Sequence, residues 1–173
     1  YNSDLSPRDN IKVIGKEAKK FIKNFDDPLQ KNLLFSGGTG LGKTFLSNCI
    51  VAELLAQGKT VLYQTAPVMF DTLINEIFNK NSDNSFSKNL LNVDLLVIDD
   101  LGTETMNSMK FTELYKIINT RLLNQNGKIT KTIISTNLDL QGLFRTYDER
   151  IVSRFIGNYN IYRFFGDDIR FKK

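Results

Sequence analysis

Apolar positions along the chain change their period repeatedly, and each change marks an element. Ile11, Ile14, Ala18, Phe21, Ile22 and Phe25 recur three and four residues apart, with Lys12, Lys16, Lys19 and Lys23 on other faces. That spacing predicts an amphipathic helix. Ser6-Pro7 supplies its start, a hydroxyl N-cap followed by proline at the first helical position, and Asp26-Asp27-Pro28 predicts its end. Asn32-Leu-Leu-Phe-Ser36 is short and apolar on both faces, as in a buried parallel strand, and it runs into a glycine-rich loop.

A helix is expected from about Lys43 to Gln57, stopped by Gly58, then a strand over Thr60 to Gln64. A third helix, from about Pro67 to Asn79, carries Val68, Phe70, Leu73, Ile74 and Ile77. Asn79 to Asn89 is rich in Asn and Ser and reads as an exposed loop. Asp94 to Ile98 is the third strand. Ser108 caps a helix to about Asn126, closed by Gly127, with Phe111, Leu114, Tyr115, Ile118 and Leu122 facing inward. Lys131 to Thr136 is the fourth strand, Asp139 to Phe144 and Asp148 to Ile156 are short helices, and Asn160 to Phe165 is the fifth strand. Strands alternating with helices give βαβ units, hence an α/β fold with a parallel sheet covered on both faces.

Composition narrows the function classes. The chain has 173 residues, enough for one compact domain, with 41% hydrophobic and 24% charged residues. No apolar run nears the roughly 20 residues of a membrane span, and the polar N-terminus lacks a signal-peptide layout. Without an initiator Met the chain is expected to be a fragment. A single cysteine, Cys49, suits a reducing cytoplasm, and its apolar surroundings predict a small core filler. The absence of histidine excludes His-based triads and His-ligated zinc. The net charge of +4 permits nucleic-acid contact without demonstrating it.

Gly37-Gly-Thr-Gly-Leu-Gly42-Lys43-Thr44 matches the phosphate-loop pattern in full, between a predicted strand and a predicted helix. Glycines let successive amides turn inward on phosphate oxygens, and the helix N-terminus adds the positive end of its dipole. Lys43 would neutralise the β- and γ-phosphates, and the Thr44 hydroxyl would ligate Mg²⁺. The candidate ATP-binding set is Gly37, Gly38, Thr39, Gly40, Leu41, Gly42, Lys43, Thr44 and the following Phe45.

Leu95-Leu-Val-Ile-Asp99-Asp100 is the expected second half, because a buried strand presents acidic groups at its C-terminal end, where open α/β sheets bind ligands. Asp99 is assigned to Mg²⁺ and Asp100 to the attacking water. Asn137, after the fourth strand, is placed to contact the γ-phosphate or the water, or else to cap the following helix. Arg150 and Arg154 lie four apart on one helix face. Either is a candidate arginine finger for a neighbouring subunit's γ-phosphate, the alternatives being a solvated basic face or a pair with Asp148 or Glu149.

The phosphate loop, Val97-Ile-Asp-Asp-Leu-Gly102, Ile134-Ser-Thr-Asn-Leu138, Glu149-Arg-Ile-Val-Ser-Arg-Phe155 and the closing Asp168-Ile-Arg170 together resemble the AAA+ ATPases of the DnaC/DnaI replicative helicase loader family. IstB-type transposition helpers share the same core. The resemblance implies a five-stranded parallel sheet in the order 5-1-4-3-2, with no C-terminal lid domain. Residues 1–30 would be a linker and helix packed on an ATPase core at 31–173, and the family's upstream helicase-binding region would be absent. It further implies ATP and Mg²⁺ as cofactors, the hexameric replicative helicase and single-stranded DNA as partners, and self-assembly on the helicase ring. Carried over by position, Lys43 and Thr44 are the Walker A pair, Asp99 the Walker B metal residue, Asn137 sensor 1, Arg154 the arginine finger with Arg150 in reserve, and Arg170 sensor 2. Asp100 stands where many AAA+ proteins have Glu, and its shorter reach implies slow, assembly-dependent hydrolysis. Small-molecule phosphotransfer and a non-hydrolysing interaction module are the readings from other classes.

Overall fold

The computed structural model describes residues 6–79, 83–123 and 127–168. In chain order the elements are α1 (Pro7–Lys23), β1 (Asn32–Ser36), α2 (Lys43–Ala56), β2 (Val61–Thr65), α3 (Ala66–Phe78) and α4 (Ser85–Asn92). They continue with β3 (Leu95–Leu101), α5 (Ser108–Leu122), β4 (Lys131–Thr136), α6 (Leu140–Thr146), α7 (Glu149–Asn158) and β5 (Tyr159–Arg163). The strands form one parallel sheet in the order β2-β3-β4-β1-β5, the expected 5-1-4-3-2 order read from the other edge.

The central strands carry apolar side chains on both faces because both faces are covered. Leu33, Phe35, Leu95, Val97 and Ile133 pack under α1 and α2 with Ile14, Phe21, Ile50 and Leu54. Their neighbours Leu34, Leu96, Ile98 and Ile134 point the other way, into the layer of Phe70, Leu73, Leu114, Ile118 and Phe155. Each such side chain contributes about 1.5–3 kcal/mol by leaving water. The strict alternation of strand side chains is what divides one apolar run between two cores.

The caps follow local chemistry. Ser6 is the N-cap of α1, its hydroxyl accepting from the Asp9 amide at 3.2 Å, with Pro7 in the first turn. The helix closes at Lys23, before the Asp-Asp-Pro segment. For α5 the cap is Asn107, whose Oδ1 accepts from Lys110 N at 2.9 Å, and Ser108 is the first helical residue. That helix ends at Leu122, and the expected extension through residues 124–126 lies outside the described residues.

Besides the Ser108 cap, which Asn107 replaces, two expectations are corrected. Within the segment read as loop, α4 forms from Ser85, held by the Glu76 carboxylate, which accepts from the amides of Phe86 and Ser87 at 2.9 and 2.8 Å. A distant side chain thus serves as cap for a segment whose composition suggested only loop. Cys49 is exposed rather than core. Helix α2 buries Lys43, Ser47, Ile50 and Leu54, and residue 49 falls on the opposite side of that stripe.

At the N-terminal end of the strands a buried guanidinium ties the loops together. Arg121 donates to the carbonyls of Leu90, Val93 and Lys131 at 2.9, 3.1 and 2.7 Å and to the Thr132 hydroxyl at 3.0 Å. Burial lowers its pKa to about 10, so it stays charged.

Candidate nucleotide site

The opposite end of the sheet carries the candidate chemistry. Residues 37–42 leave β1, curl over the strand end and enter α2 at Lys43. Glycine is demanded there by contact as well as by conformation. At Gly37, with φ of 139°, an added Cβ would lie 2.2 Å from the Phe164 carbonyl oxygen. At Gly40, with φ of 70°, it would lie 1.9 Å from an Asp168 carboxylate oxygen. The start of the closing Asp168-Ile-Arg motif therefore rests against the glycine loop. Arg170 itself lies outside the described residues.

Lys43 is 5% exposed and its Nζ points back into the loop, donating to the carbonyls of Gly37 (2.5 Å) and Gly38 (2.6 Å) and to Asn137 Oδ1 (2.9 Å). Burial lowers its pKa, while Asp100 and Asp99 oppose that shift. Asn137 is thus brought onto Lys43, and Asp139 rather than Asn137 caps α6, accepting from the Gly142 amide at 2.7 Å.

The two aspartates diverge because the strand is irregular where they sit. Between β3 and β4 the register pairs Ile98 with Ile134 and Leu101 with Thr136, three residues against two. The extra residue re-aims its neighbours, as a bulge does. Asp100 takes it up with φ of 56°, the left-handed region that aspartate tolerates better than most side chains.

Asp99 turns inward and is 3% exposed. Its oxygens accept from the Thr44 hydroxyl at 3.0 and 3.3 Å, from the Tyr63 hydroxyl at 2.6 Å, from the Asp100 amide at 3.2 Å and from the Ser135 hydroxyl. Asp100 is half-buried and lines a cleft of about 310 Å³ with Thr39, Gly40, Leu41, Gly42, Lys43, Thr44 and Asn137. Burial and the neighbouring Asp99 raise its pKa, partly offset by Lys43.

Sequence reasoning missed Tyr63 and Ser135. Tyr63 reaches Asp99 from the adjacent strand, where Thr65 is the register partner of Asp99. Burial raises its pKa, as does its bond to Asp99, so the phenol remains a donor. The only linear signal was a hydroxyl-bearing side chain in each of two strand segments otherwise suited to burial. Phe45, included in the candidate set, is 73% exposed at the start of α2.

Neither Arg150 nor Arg154 lines this cleft. Arg150 is exposed, bound to Asp148 at 2.9 Å, with its guanidinium 5.8 Å from the Tyr115 ring centre. Arg154 is half-buried, and its Nε is buried without a hydrogen-bond partner. The structure therefore separates two side chains that helical spacing had made equivalent. A larger groove, about 580 Å³, runs between α5 and the α6–α7 segment beside Arg150.

The Thr44 hydroxyl beside the Asp99 carboxylate is a hard oxygen pair of the kind Mg²⁺ takes, since that ion commonly keeps several waters and few protein ligands. Among the described residues no cluster of three or more acidic, Cys or His side chains offers a closed metal cage.

Comparison with known proteins places this arrangement. The bacterial DnaA ATPase domain family model matches residues 9–161. The replicative helicase loader DnaC of Escherichia coli (strain K12) is 29% identical over 144 residues, covering 82% of this chain and 57% of that protein. The chain thus spans a little over half the length of this relative. Among solved structures, AMPPCP-bound DnaA from Aquifex aeolicus superposes with a TM-score of 0.79 at 24% identity, over 99% of this chain and 53% of that one. A crystal structure of the DnaC helicase loader superposes at 0.77 and 24% identity, over 95% and 94%. With strand order, phosphate loop and family match in agreement, the chain belongs to the bacterial DnaA ATPase-domain family and is a DnaC-like AAA+ protein.

Proposed function

We propose that this chain binds ATP with Mg²⁺ in the cleft between residues 37–44 and Asp100, hydrolyses it slowly within an assembly, and helps load a replicative helicase onto single-stranded DNA. The observation that carries the nucleotide reading is the convergence of Lys43, Thr44, Asp99, Asp100 and Asn137 on one strand-end cleft. The loader reading is supported by the likeness to DnaC, and the setting it implies is the cytoplasm.

Each residue has a task in this reading. The loop amides and the N-terminus of α2 receive phosphate oxygens. Lys43 exchanges loop carbonyls for the β- and γ-phosphates, and Asn137, already bonded to it, lies where the γ-phosphate or the water is sensed. Thr44 and Asp99 hold the metal, with Tyr63 and Ser135 fixing the carboxylate. Mg²⁺ there supplies charge neutralisation across the phosphates. Asp100 orients and polarises water, and its raised pKa brings it closer to a useful base. Arg154 acts on a neighbouring copy's nucleotide, with its unpartnered Nε as support, and Arg170 acts in cis on the strength of the family resemblance.

The test mixes the full-length protein with its own cell's replicative helicase and records native mass spectra with and without ATP. A defined complex with the hexamer is expected, with ATP turnover that Asp100→Asn reduces by roughly 10²-fold or more. A folded, ATP-binding protein that forms no complex in any nucleotide state would overturn the loader reading in favour of the transposition helper.

A further inference from the structure

Glu104 is a buried carboxylate that the proposed chemistry does not use. It is 9% exposed, and no cation pairs with it among the described residues. Its two oxygens divide their work. Oε2 accepts from the Gly102 amide at 2.9 Å, and Oε1 accepts from the Tyr147 hydroxyl, 43 residues away in sequence. Both partners sit at junctions that matter.

On one side is the turn that follows Asp100. The Asp100 carbonyl accepts from the Thr103 hydroxyl at 2.8 Å and from the Thr103 amide at 3.3 Å, and Glu104 closes the same turn through Gly102. On the other side, Tyr147 ends α6, its amide bonded to the Leu143 carbonyl at 2.8 Å, and it immediately precedes Asp148, the N-cap of α7. Helix α7 carries Arg154. The Tyr147 ring is 3% exposed and meets Phe111 edge-on at 6.2 Å, so the ring is fixed before its hydroxyl is considered. Burial and the Glu104 carboxylate hold the phenol far above its ordinary range, so it remains a donor at any working pH.

A phenol donating to a carboxylate in a water-poor site is a strong, directional link, and one placed between two turns transmits small displacements. From these contacts we infer that Glu104 and Tyr147 form a strut joining the Asp100 turn to the arginine helix, so that one copy's nucleotide site governs how its Arg154 is presented to the next copy. Both are positioning residues. The inference rests on the ATPase reading above, with Arg154 acting in trans.

Two full-length variants mixed in the complex with helicase and ATP separate these ideas. A presenting copy carries Asp100→Asn, which hydrolyses roughly 10²-fold more slowly or worse but retains Arg154. A hydrolysing copy carries Arg154→Ala. Turnover in the mixture measures arginine presented by the first copy to the second.

Adding Tyr147→Phe to the presenting copy is expected to lower that turnover roughly tenfold, since misplacement by about 1 Å can cost about 10² in rate. Added to the hydrolysing copy, it should change turnover less than about twofold, with nucleotide affinity preserved in both. Glu104→Gln in the presenting copy retains one acceptor for two donors and should give an intermediate loss. Equal losses in either copy would show general packing and overturn the strut, as would no loss in the presenting copy. Should the mixture without Tyr147→Phe show no turnover, the trans arginine itself fails and the strut with it, a result recognisable before any Tyr147 variant is made.

Discussion

Lys43 and Arg121 are both buried cations held by backbone carbonyls, one at each end of the same sheet, and they serve opposite ends. Arg121 is 2% exposed and surrounded by acceptors on two chain segments, 90–94 and 131–132, with no acidic side chain bonded to it. Lys43 also donates to two carbonyls, but it faces an open cleft with two carboxylates nearby. The first arrangement is complete and gives rigidity. The second sets the cation beside two carboxylates that repel each other, one of them on the left-handed Asp100, and it leaves the ammonium room to exchange its loop carbonyls for another acceptor. The same chemistry becomes structure or function according to whether its surroundings leave room.

The sharpest way to break this contrast is Arg121→Ala. Carbonyls on both of these segments would lose their donor, and the fold should lose about 3–5 kcal/mol in denaturant unfolding. ATP affinity measured at a temperature where the variant is still folded should be unchanged. A milder loss would mean that water replaces the guanidinium.

Lys43→Ala tests the other end. Nucleotide affinity should fall by at least about 100-fold, near 2.7 kcal/mol, in a fluorescent-nucleotide titration, with thermal stability little altered. Retained binding would remove the phosphate-loop assignment.

Asp100→Asn separates activity from stability. The folded-state carboxyl holds its proton more tightly than in the unfolded chain, so ionisation works against the fold. The parent protein should lose stability as pH rises through that pKa, and the variant should not. At neutral pH the variant should be the more stable of the two while turning over poorly. An unchanged melting curve would mean that the charge is relieved by local water.

The smallest effect is expected at Asp94, near Arg121 at the structural end. Burial pushes its carboxyl up, but the Thr60 hydroxyl and amide and Lys128, 3.0 Å away, outweigh this and hold it at about 2, against 3.8 ordinarily. Its contribution is therefore present above pH 3.8 and lost as pH falls toward 2. Asp94→Asn should flatten that acid limb by about 1 kcal/mol, a figure reduced for partial exposure.

Legibility differed between elements for physical reasons. The strand runs β1 and β3 stood out because a covered sheet demands apolar side chains on both faces, and Ser6-Pro7 marked α1 because a cap is a local bond. Helix α4 was illegible because its N-terminal amides are satisfied by Glu76, on another helix. Cys49 was misread because α2 is apolar on nearly all sides, so its pattern does not say which stripe faces the sheet. Tyr63 showed only as a hydroxyl within a strand segment and Glu104 gave no linear signal, since the side chains they meet, Asp99 and Tyr147, lie on other segments.

The sequence by itself determined the glycine loop, the Asp-Asp strand end, the parallel α/β architecture and the set of residues available for nucleotide chemistry, because each depends on short-range spacing. Only the tertiary structure decided that Asp99 turns inward while Asp100 faces the cleft, that Asn137 meets Lys43 rather than capping a helix, and that Arg154 and Arg150 have different surroundings. It also decided that Glu104 and Tyr147 connect the turn after Asp100 to the start of α7. Those outcomes depend on register, a bulge and contacts between segments dozens of residues apart, and neither spacing nor composition encodes them directly.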